Sequence, residues 1–301
     1  TGIEDFMALS TLYCGDNQLT SLDVSANTAL TTLYCHNNYL TSLDISNNTG
    51  LSTLYCGQNQ LTALDVSTNT ALTVLDCNFN QLTILDVSGA TALIRLECYE
   101  NQLTSLDVSG ATALIRLYCN DNQLTSLDVN GATALTYLGC NTNQLTSLDV
   151  SANTALTTLY CNDNQLTYLN MKNGVTDQLT FFATNNSLDC IEVNAEDVDW
   201  ATEYWTSGNG NIDEGVSFSE ICYVPGNPDI TYIPDDNFEQ TLIDLSYDDV
   251  LDDYVLTATI SGVIELNVEY QQISDLTGIE DFMALSTLYC GDNQLTSLDV
   301  S

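Results

Sequence analysis

Positive charge is almost absent from this sequence. Its 301 residues include 3 Lys and Arg against 41 Asp and Glu, a net charge of −38, with a single histidine. A surface that acidic repels phosphate backbones, which excludes nucleic acid as a partner. An anionic membrane surface is disfavoured for the same reason. Long apolar runs are absent as well: none approaches the ~18 residues of a membrane-spanning helix, so no membrane insertion is expected. No secretion signal opens the chain, which starts in mid-pattern. Catalytic equipment is scarce. The one histidine, His36, stands in a column otherwise of Gly, Asn and Tyr; no nucleophile–base pairing or phosphate-binding loop appears, and no enzymatic activity is expected. Apolar residues, by contrast, make up 44% of the chain, enough for a sizeable core. The acid excess keeps such a chain soluble and attracts cations, which suits a salty, calcium-containing exterior.

Cysteine is plentiful and periodic. Eight of the 11 cysteines fall at 14, 35, 56, 77, 98, 119, 140 and 161, a spacing of 21 each time. Such a period marks a stacked-repeat architecture. One unit, from Leu30, reads LTTLYCHNNYLTSLDISNNTG: Leu30, Leu33, Cys35, Asn38 and Leu40 spell LxxLxCxxNxL, and Leu40, Leu43, Ile45 and Asn48 echo it as LxxLxIxxN. The period is therefore nested, 11 plus 10. Each half holds an alternating stretch, TLYC or SLDI, which predicts a short half-buried strand, and NNTG at 47–50 closes the coil with turn residues. Stacking puts each Leu or Cys column inside, with neighbours about 4.8 Å apart. A single coil cannot bury its own apolar edge, so only the stack is stable.

Other columns carry their own information. Asn17, Asn38, Asn59, Asn80, Asn101, Asn122, Asn143 and Asn164 form one, placed to hydrogen-bond the turn backbone of adjacent coils. A second (Asn27, Asn48, Asn69, Asn153) is interrupted by Ala90, Ala111 and Ala132, each preceded by glycine, which predicts a differently built turn. The grid cysteines read as small inward hydrophobes rather than zinc ligands, which must converge in fours. Asp23, Asp44, Asp65, Asp86, Asp107, Asp128 and Asp149 form an outward column of like charges. Local backbone capping is the expected role, because calcium wants six to eight oxygens and one column offers few. Asn209, Asn211, Asp213 and Glu220 in NGNIDEGVSFSE stand at EF-hand-like offsets, although Gly215 falls one place late. Calcium there is the one cofactor candidate.

The outward faces of the first strand hold the candidate site. One column reads Tyr13, Tyr34, Tyr55, Asp76, Glu97, Tyr118, Gly139, Tyr160; beside it run Thr11, Thr32, Thr53, Val74, Arg95, Arg116, Tyr137, Thr158. Exposed Tyr with Arg is the composition of recognition patches. The ligand-binding candidates are Tyr13, Tyr34, Tyr55, Arg95, Glu97, Arg116, Tyr118, Tyr137 and Tyr160. The structural alternative is that Tyr suits strands, and that Arg95 and Arg116 balance Asp76 and Glu97.

These motifs resemble the leucine-rich-repeat family, and the nested 21-residue form is similar to its bacterial IRREKO class. The resemblance covers roughly 9–169, with Cys where the family often has Leu. It implies a right-handed solenoid, rich in parallel sheet and built mostly of strands and turns, with a small helical N-cap and a disulfide-bearing C-cap.

After Leu169 the beat falters. FFATNNSLDCIEV is a last degenerate coil, and VDWATEYW and VSFSEIC then supply both tryptophans, Trp200 and Trp205, as a cap over 170–223. Cys190 and Cys222 lie off the grid in this small segment and are expected to form a disulfide, implying an oxidising compartment. All three prolines (Pro225, Pro228, Pro234) fall in 224–234, a short stiff linker. In 235–276, Phe238, Leu242, Ile243 and Leu245 are spaced for an amphipathic helix with Asp at its start, and the repeats then restart in a form similar to the first coil of internalins. Residues 277–301 are identical to 1–25. The order is repeats, end cap, linker, start cap, repeats, as in one window onto a head-to-tail array with a period of 276; an engineered permutant with an overlap would read the same way. IPDDNFEQTLIDLSYDDVLDDYVLT, ISDLTGIEDF and the paired-cysteine cap resemble secreted surface leucine-rich-repeat proteins of marine Bacteroidota, which implies type IX secretion and a cell-surface location. The expected function is a structural or adhesive module of a fibre or stalk, with neighbouring copies as partners. The alternative is a discrete extracellular module that captures a glycan or protein on its Tyr/Arg face.

Overall fold

A computed structural model describes residues 2–176, 179–222, 230–248, 250–251 and 253–298. They form two compact units that divide between Cys222 and Tyr223.

The first unit is a stack of coils. Its main sheet has nine parallel strands: Thr11–Tyr13, Thr32–Tyr34, Thr53–Tyr55, Val74–Asp76, Arg95–Glu97, Arg116–Tyr118, Tyr137–Gly139, Thr158–Tyr160 and Thr180–Phe182. Each pairs with the equivalent residues of the next coil, Leu33 with Leu54 and Leu96 with Leu117, for instance. The alternation of TLY turns Leu inward, and the following Cys is also buried from Cys35 to Cys161. These eight cysteines, Cys14 included, are free. Burial pushes the Cys98 and Cys140 thiols up to about 12, so they stay protonated and act as small apolar groups.

Each strand ends because the chain bends sharply. Asp16, Asn37, Gln58, Phe79, Glu100, Asp121, Thr142, Asp163 and Asn185 all take a left-handed conformation, with φ between 47° and 57°. Such residues cost energy unless the surroundings hold them. The asparagine that follows does so. The Asn38 amide donates to the carbonyls of Cys14, Cys35 and His36 at 3.0–3.1 Å, and its oxygen accepts the Leu19 N–H at 2.9 Å. One side chain thus pins its own bend and ties two coils together, as the sequence predicts, and the pattern recurs through Asn164.

The second half of each coil departs from expectation. SLD segments pair as strands only in part: Ala63–Asp65 with Ile84–Asp86, a bridge between Asp107 and Asp128, and Ser147–Asp149 with Tyr168–Asn170, Cys190–Glu192 and Ser217–Ser219. Each outward aspartate folds back on the backbone, as when Asp44 accepts both the N–H and the hydroxyl of Ser46, and Asp65 and Asp86 do so even where their strands pair. Backbone capping is thus the role of this column. The expectation of a differently built turn at Ala90, Ala111 and Ala132 is corrected: Ala90 N–H bonds Val87 O at 2.9 Å just as Asn48 N–H bonds Ile45 O. At two of the three, proximity changes: a Cβ on Gly89 would lie 1.8 Å from the Ser67 carbonyl oxygen and one on Gly131 2.3 Å from that of Ser109, so glycine lets these turns approach closely, whereas at Gly110 the nearest atom would be 3.5 Å away.

The far end is closed by the helix Val198–Tyr204 and the strand Ser217–Ser219. Trp205 lies over the last Leu-position residue, Phe181, with ring centroids 4.6 Å apart, and meets Phe218 at 5.8 Å. The Cys190–Cys222 disulfide spans 32 residues. Beside it the buried Glu192 accepts the Cys222 N–H and the Tyr168 hydroxyl and faces Lys172 at 3.4 Å.

The second unit holds the antiparallel pair Ile230–Tyr232 and Tyr254–Leu256, the helices Asp236–Asp244 and Thr257–Ile260, and the parallel pair Glu265–Asn267 and Thr287–Tyr289. Phe238 and Leu242 are buried as the helical spacing predicts; Leu245 is exposed. Asp235 is the keystone. One oxygen caps the helix through Asn237 and Phe238 N–H, and the other accepts Ser274 and Asp275 N–H and the Ser274 hydroxyl. The expected linker, 224–234, is corrected over its described part: Ile230–Tyr232 is a strand and Ile233 is fully buried in this unit's core. Residues 224–229 lie outside the described residues.

Candidate binding face

Parallel pairing in register turns one repeat position into a column. Tyr13, Tyr34 and Tyr55 stand opposite one another. Strand spacing brings their rings into stacking distance. The centroids are 4.6 Å apart at 30° for the first pair and 4.5 Å apart at 8° for the second. A second run follows: Tyr118 and Tyr137 at 4.3 Å, Tyr137 and Tyr160 at 5.8 Å, Tyr160 and Phe182 at 5.5 Å. Tyr137 belongs to the neighbouring column. It serves this one because position 139 is glycine, where a Cβ would lie 3.2 Å from Cε1 of Tyr137. A missing side chain admits a ring from two residues away.

Asp76 and Glu97 separate the two runs. Glu97 is buried and ion-paired with Arg95, whose guanidinium carbon lies 5.9 Å from the Tyr118 ring centroid. Burial, then repulsion from Glu97, lifts the Asp76 carboxyl to about 6 against the opposing pull of Arg95. Arg116 is exposed and has no ion pair among the described residues. The two arginines therefore differ: Arg95 balances a carboxylate, and Arg116 presents its charge to solvent beside Tyr118 and Tyr137. His36 lies edge-on to Tyr34 at 6.2 Å, with Nε2 3.5 Å from Asp16 Oδ2.

All nine candidate residues thus lie on one sheet face in two ring runs and a charged gap. Sequence reading stops the column at Tyr160 and misses Phe182. The signal was there: LTFFATNN repeats TTLYCNDN one residue late, with Phe181 in the Leu place and Ala183 in the Cys place. It also misses the edge-on pair Phe79 and Tyr99, 5.3 Å apart.

The calcium candidates serve the end cap. The Asn211 amide donates to Phe181 O at 2.8 Å, the Asn209 amide to Tyr204 O, and Asp213 accepts the N–H groups of Asn185 and Asn186. Among the described residues, no three His, Cys, Asp or Glu are grouped to hold a metal ion. Asn211 and Asp213 thus bond the last coil, Asn209 bonds within its own loop, and Glu220 makes no ion pair among the described residues.

Residues 8–49 match the family model for Leucine Rich repeats (2 copies). The functional domain of InlJ from Listeria monocytogenes, described as including a cysteine ladder, is 32% identical with a TM-score of 0.61; the match covers 100% of this chain and 57% of that one. The first unit is a leucine-rich-repeat solenoid. The internalin InlF from Listeria monocytogenes shares the fold at 20% identity and a TM-score of 0.56, over 98% of this chain and 78% of its own. No curated protein matches. The present chain spans little more than half the length of the InlJ structure. In this chain the cysteine column runs from Cys14 to Cys161 and is buried from Cys35 onward. Leucine-rich-repeat solenoids are typically protein-binding scaffolds rather than enzymes. No described helix is long and apolar enough to cross a membrane.

Proposed function

We propose that this chain is a non-catalytic extracellular recognition module that captures a protein partner on the open face of its nine-stranded sheet. The observation that carries this reading is the pairing of two stacked-ring runs with an arginine, Arg116, that has no ion pair among the described residues. Stacked tyrosines offer large rigid contact area at low entropic cost, and an unpaired Arg beside them is a typical anchor. In a chain of −38, Arg116 attracts an acidic side chain of the partner, while Asp76 gives the gap the opposite preference. The Cys190–Cys222 disulfide supports an oxidising, extracellular compartment. To test the reading, the chain is displayed on beads and screened against panels of extracellular proteins and glycans, and the strongest ligand is remeasured with Arg116→Glu and Tyr34→Ala. A ten-fold or greater loss is expected for both, with unchanged melting temperature for Arg116→Glu. Equal binding by both variants refutes the face, and a ligand found only among glycans replaces the protein partner by a sugar.

A second reading is favoured by the second unit. It presents the start of the same repeats under a helical cap, the arrangement expected at the junction of a head-to-tail array. In this reading the module is one segment of a secreted surface fibre. Electron micrographs of the full gene product test it: uniform rods of regularly spaced solenoids support the fibre, and freely jointed beads oppose it.

A further inference from the structure

In a repeat, each outward residue can be compared with its equivalents in the other coils. The position just before the main-sheet strands is mostly Thr or Ser, and its hydroxyls brace the stack. Those of Thr31, Ser52, Thr73, Thr136 and Thr157 each donate to the carbonyl of the equivalent residue one coil back, at 2.9–3.2 Å. Ile94 and Ile115 break this series. They stand opposite one another, the Ile115 N–H bonding Ile94 O at 2.8 Å, and are 42% and 38% exposed. Thr and Ile share the branched Cβ that suits extended backbone, so local conformation does not choose between them. Isoleucine gives up the hydroxyl bond and presents apolar surface to water. A single exposed apolar residue is ordinary. Here two adjoin, in the same two coils that carry both arginines of the chain. Arg95 pairs with Glu97 and Lys172 with Glu192, whereas Arg116, which follows Ile115 directly, is exposed and has no ion pair among the described residues. Tyr137 stands opposite Arg116 in register on the next strand. An apolar ledge, a cation and a ring thus lie side by side.

We propose that Ile94, Ile115 and Arg116 receive a segment of the partner protein in which one acidic residue adjoins an apolar one, the carboxylate on the Arg116 guanidinium and the apolar side chain on the two isoleucines. The proposal rests on the recognition reading of this face and names the chemistry of its partner. A guanidinium offers a planar fork of donors that matches a carboxylate. Two isoleucines at the ~4.8 Å strand spacing form a ledge the width of one apolar side chain, and covering it removes their surface from water. A sugar gains little from such an aliphatic ledge, which favours a polypeptide. The net charge narrows the occupant further. A chain of −38 repels a strongly acidic molecule, a second copy of itself included, so the acidic residue stands alone in a neutral or basic segment. The footprint is continuous with the Tyr118–Tyr137 ring run, so one partner can cover both.

Phage displaying random short peptides, panned on the immobilised chain, test this. Enriched peptides, synthesised and titrated by fluorescence anisotropy, should carry Asp or Glu next to or near Leu, Ile, Val, Phe or Trp. Ile94→Thr with Ile115→Thr restores the missing hydroxyls. It should weaken these peptides at least ~ten-fold while melting no lower than the parent. Ile84→Thr trims another exposed isoleucine, on the second-half strand Ile84–Asp86, and should bind as the parent does. If the double variant binds equally while Arg116→Glu loses binding, the isoleucine ledge is refuted and the recognition reading stands; if both bind equally, both fall. The proposal also fails if no peptide is enriched, if the enriched ones lack the acidic–apolar pair, or if Ile84→Thr loses as much. A loss of binding that comes with a lower melting temperature overturns it too, because the isoleucines then serve the fold. Light scattering completes the test: self-association of the parent that the double variant lacks replaces the partner by a second copy.

Discussion

The two halves of each coil echo one another in their inward pattern and differ in the residue that faces outward at the end of the strand. In the first half that residue is mostly tyrosine, and nine strands pair without a break. In the second half it is mostly aspartate, and the pairing is fragmentary. The inward pattern of leucines is equally regular in both. Burial therefore sets where the chain turns in. Stacked rings attract across a strand spacing in the first half, while the aspartates of the second half engage their own backbone through the residue two places on. The asparagine columns repeat the contrast. First-half asparagines use both amide ends, while the Oδ1 atoms of Asn27, Asn48, Asn69 and Asn153 are buried without a partner, and alanine replaces this residue in three coils.

The contrast can be broken in four ways, in order of expected size. Asn101→Ala removes three bonds to the carbonyls of Cys77, Cys98 and Tyr99 and strands the Leu82 N–H. It should cost about 3 kcal/mol in denaturant unfolding; a loss below about 1 would show that the ladder of amides is dispensable. Arg95→Ala leaves Glu97 buried beside Asp76 without its ion-pair partner. The expected loss is about 2 kcal/mol, with Arg116→Ala within about 0.5 as the control.

Asp76→Asn works in the opposite direction. The folded carboxyl has a raised value of about 6, so the native state holds this proton more tightly than the unfolded chain. The stabilisation is complete below the ordinary carboxylate range and disappears as pH rises through about 6. The variant should therefore be more stable than the parent at pH 8 by about 1–2 kcal/mol, after allowing for partial exposure, and nearly equal at pH 4. Melting curves across that range would settle it; a pH-independent difference refutes the assignment. Asn69→Ala is the mildest. With one amide end already unpartnered, it should cost about 1 kcal/mol, a third of the effect of Asn101→Ala. Equal losses would erase the distinction between the columns.

Much of this was legible without coordinates. The 21-residue period, the alternation of TLYC and the Asn column sufficed to place the core and the coil-to-coil amide bonds. The off-grid cysteines named the disulfide, and the tryptophans named the end cap. These are local or strictly periodic signals, and a solenoid repeats one local problem along one axis. The aspartate role was legible too, because Asp and Ser two residues apart bond within a single turn.

Other features depend on contacts that no period encodes. Tyr137 fills the place left vacant by Gly139. Arg95 closes on Glu97, and Arg116 stays open, though both follow Ile in near-identical LIRL segments. Ile230–Tyr232 is a strand because its antiparallel partner lies more than twenty residues later. The sequence by itself determined the repeating coil, since each unit carries its own turn, strand and amide brace. The tertiary structure alone decided which side chain on the open face meets which, because there the neighbour across the strand spacing, 21 residues away, sets each residue's charge, stacking and exposure.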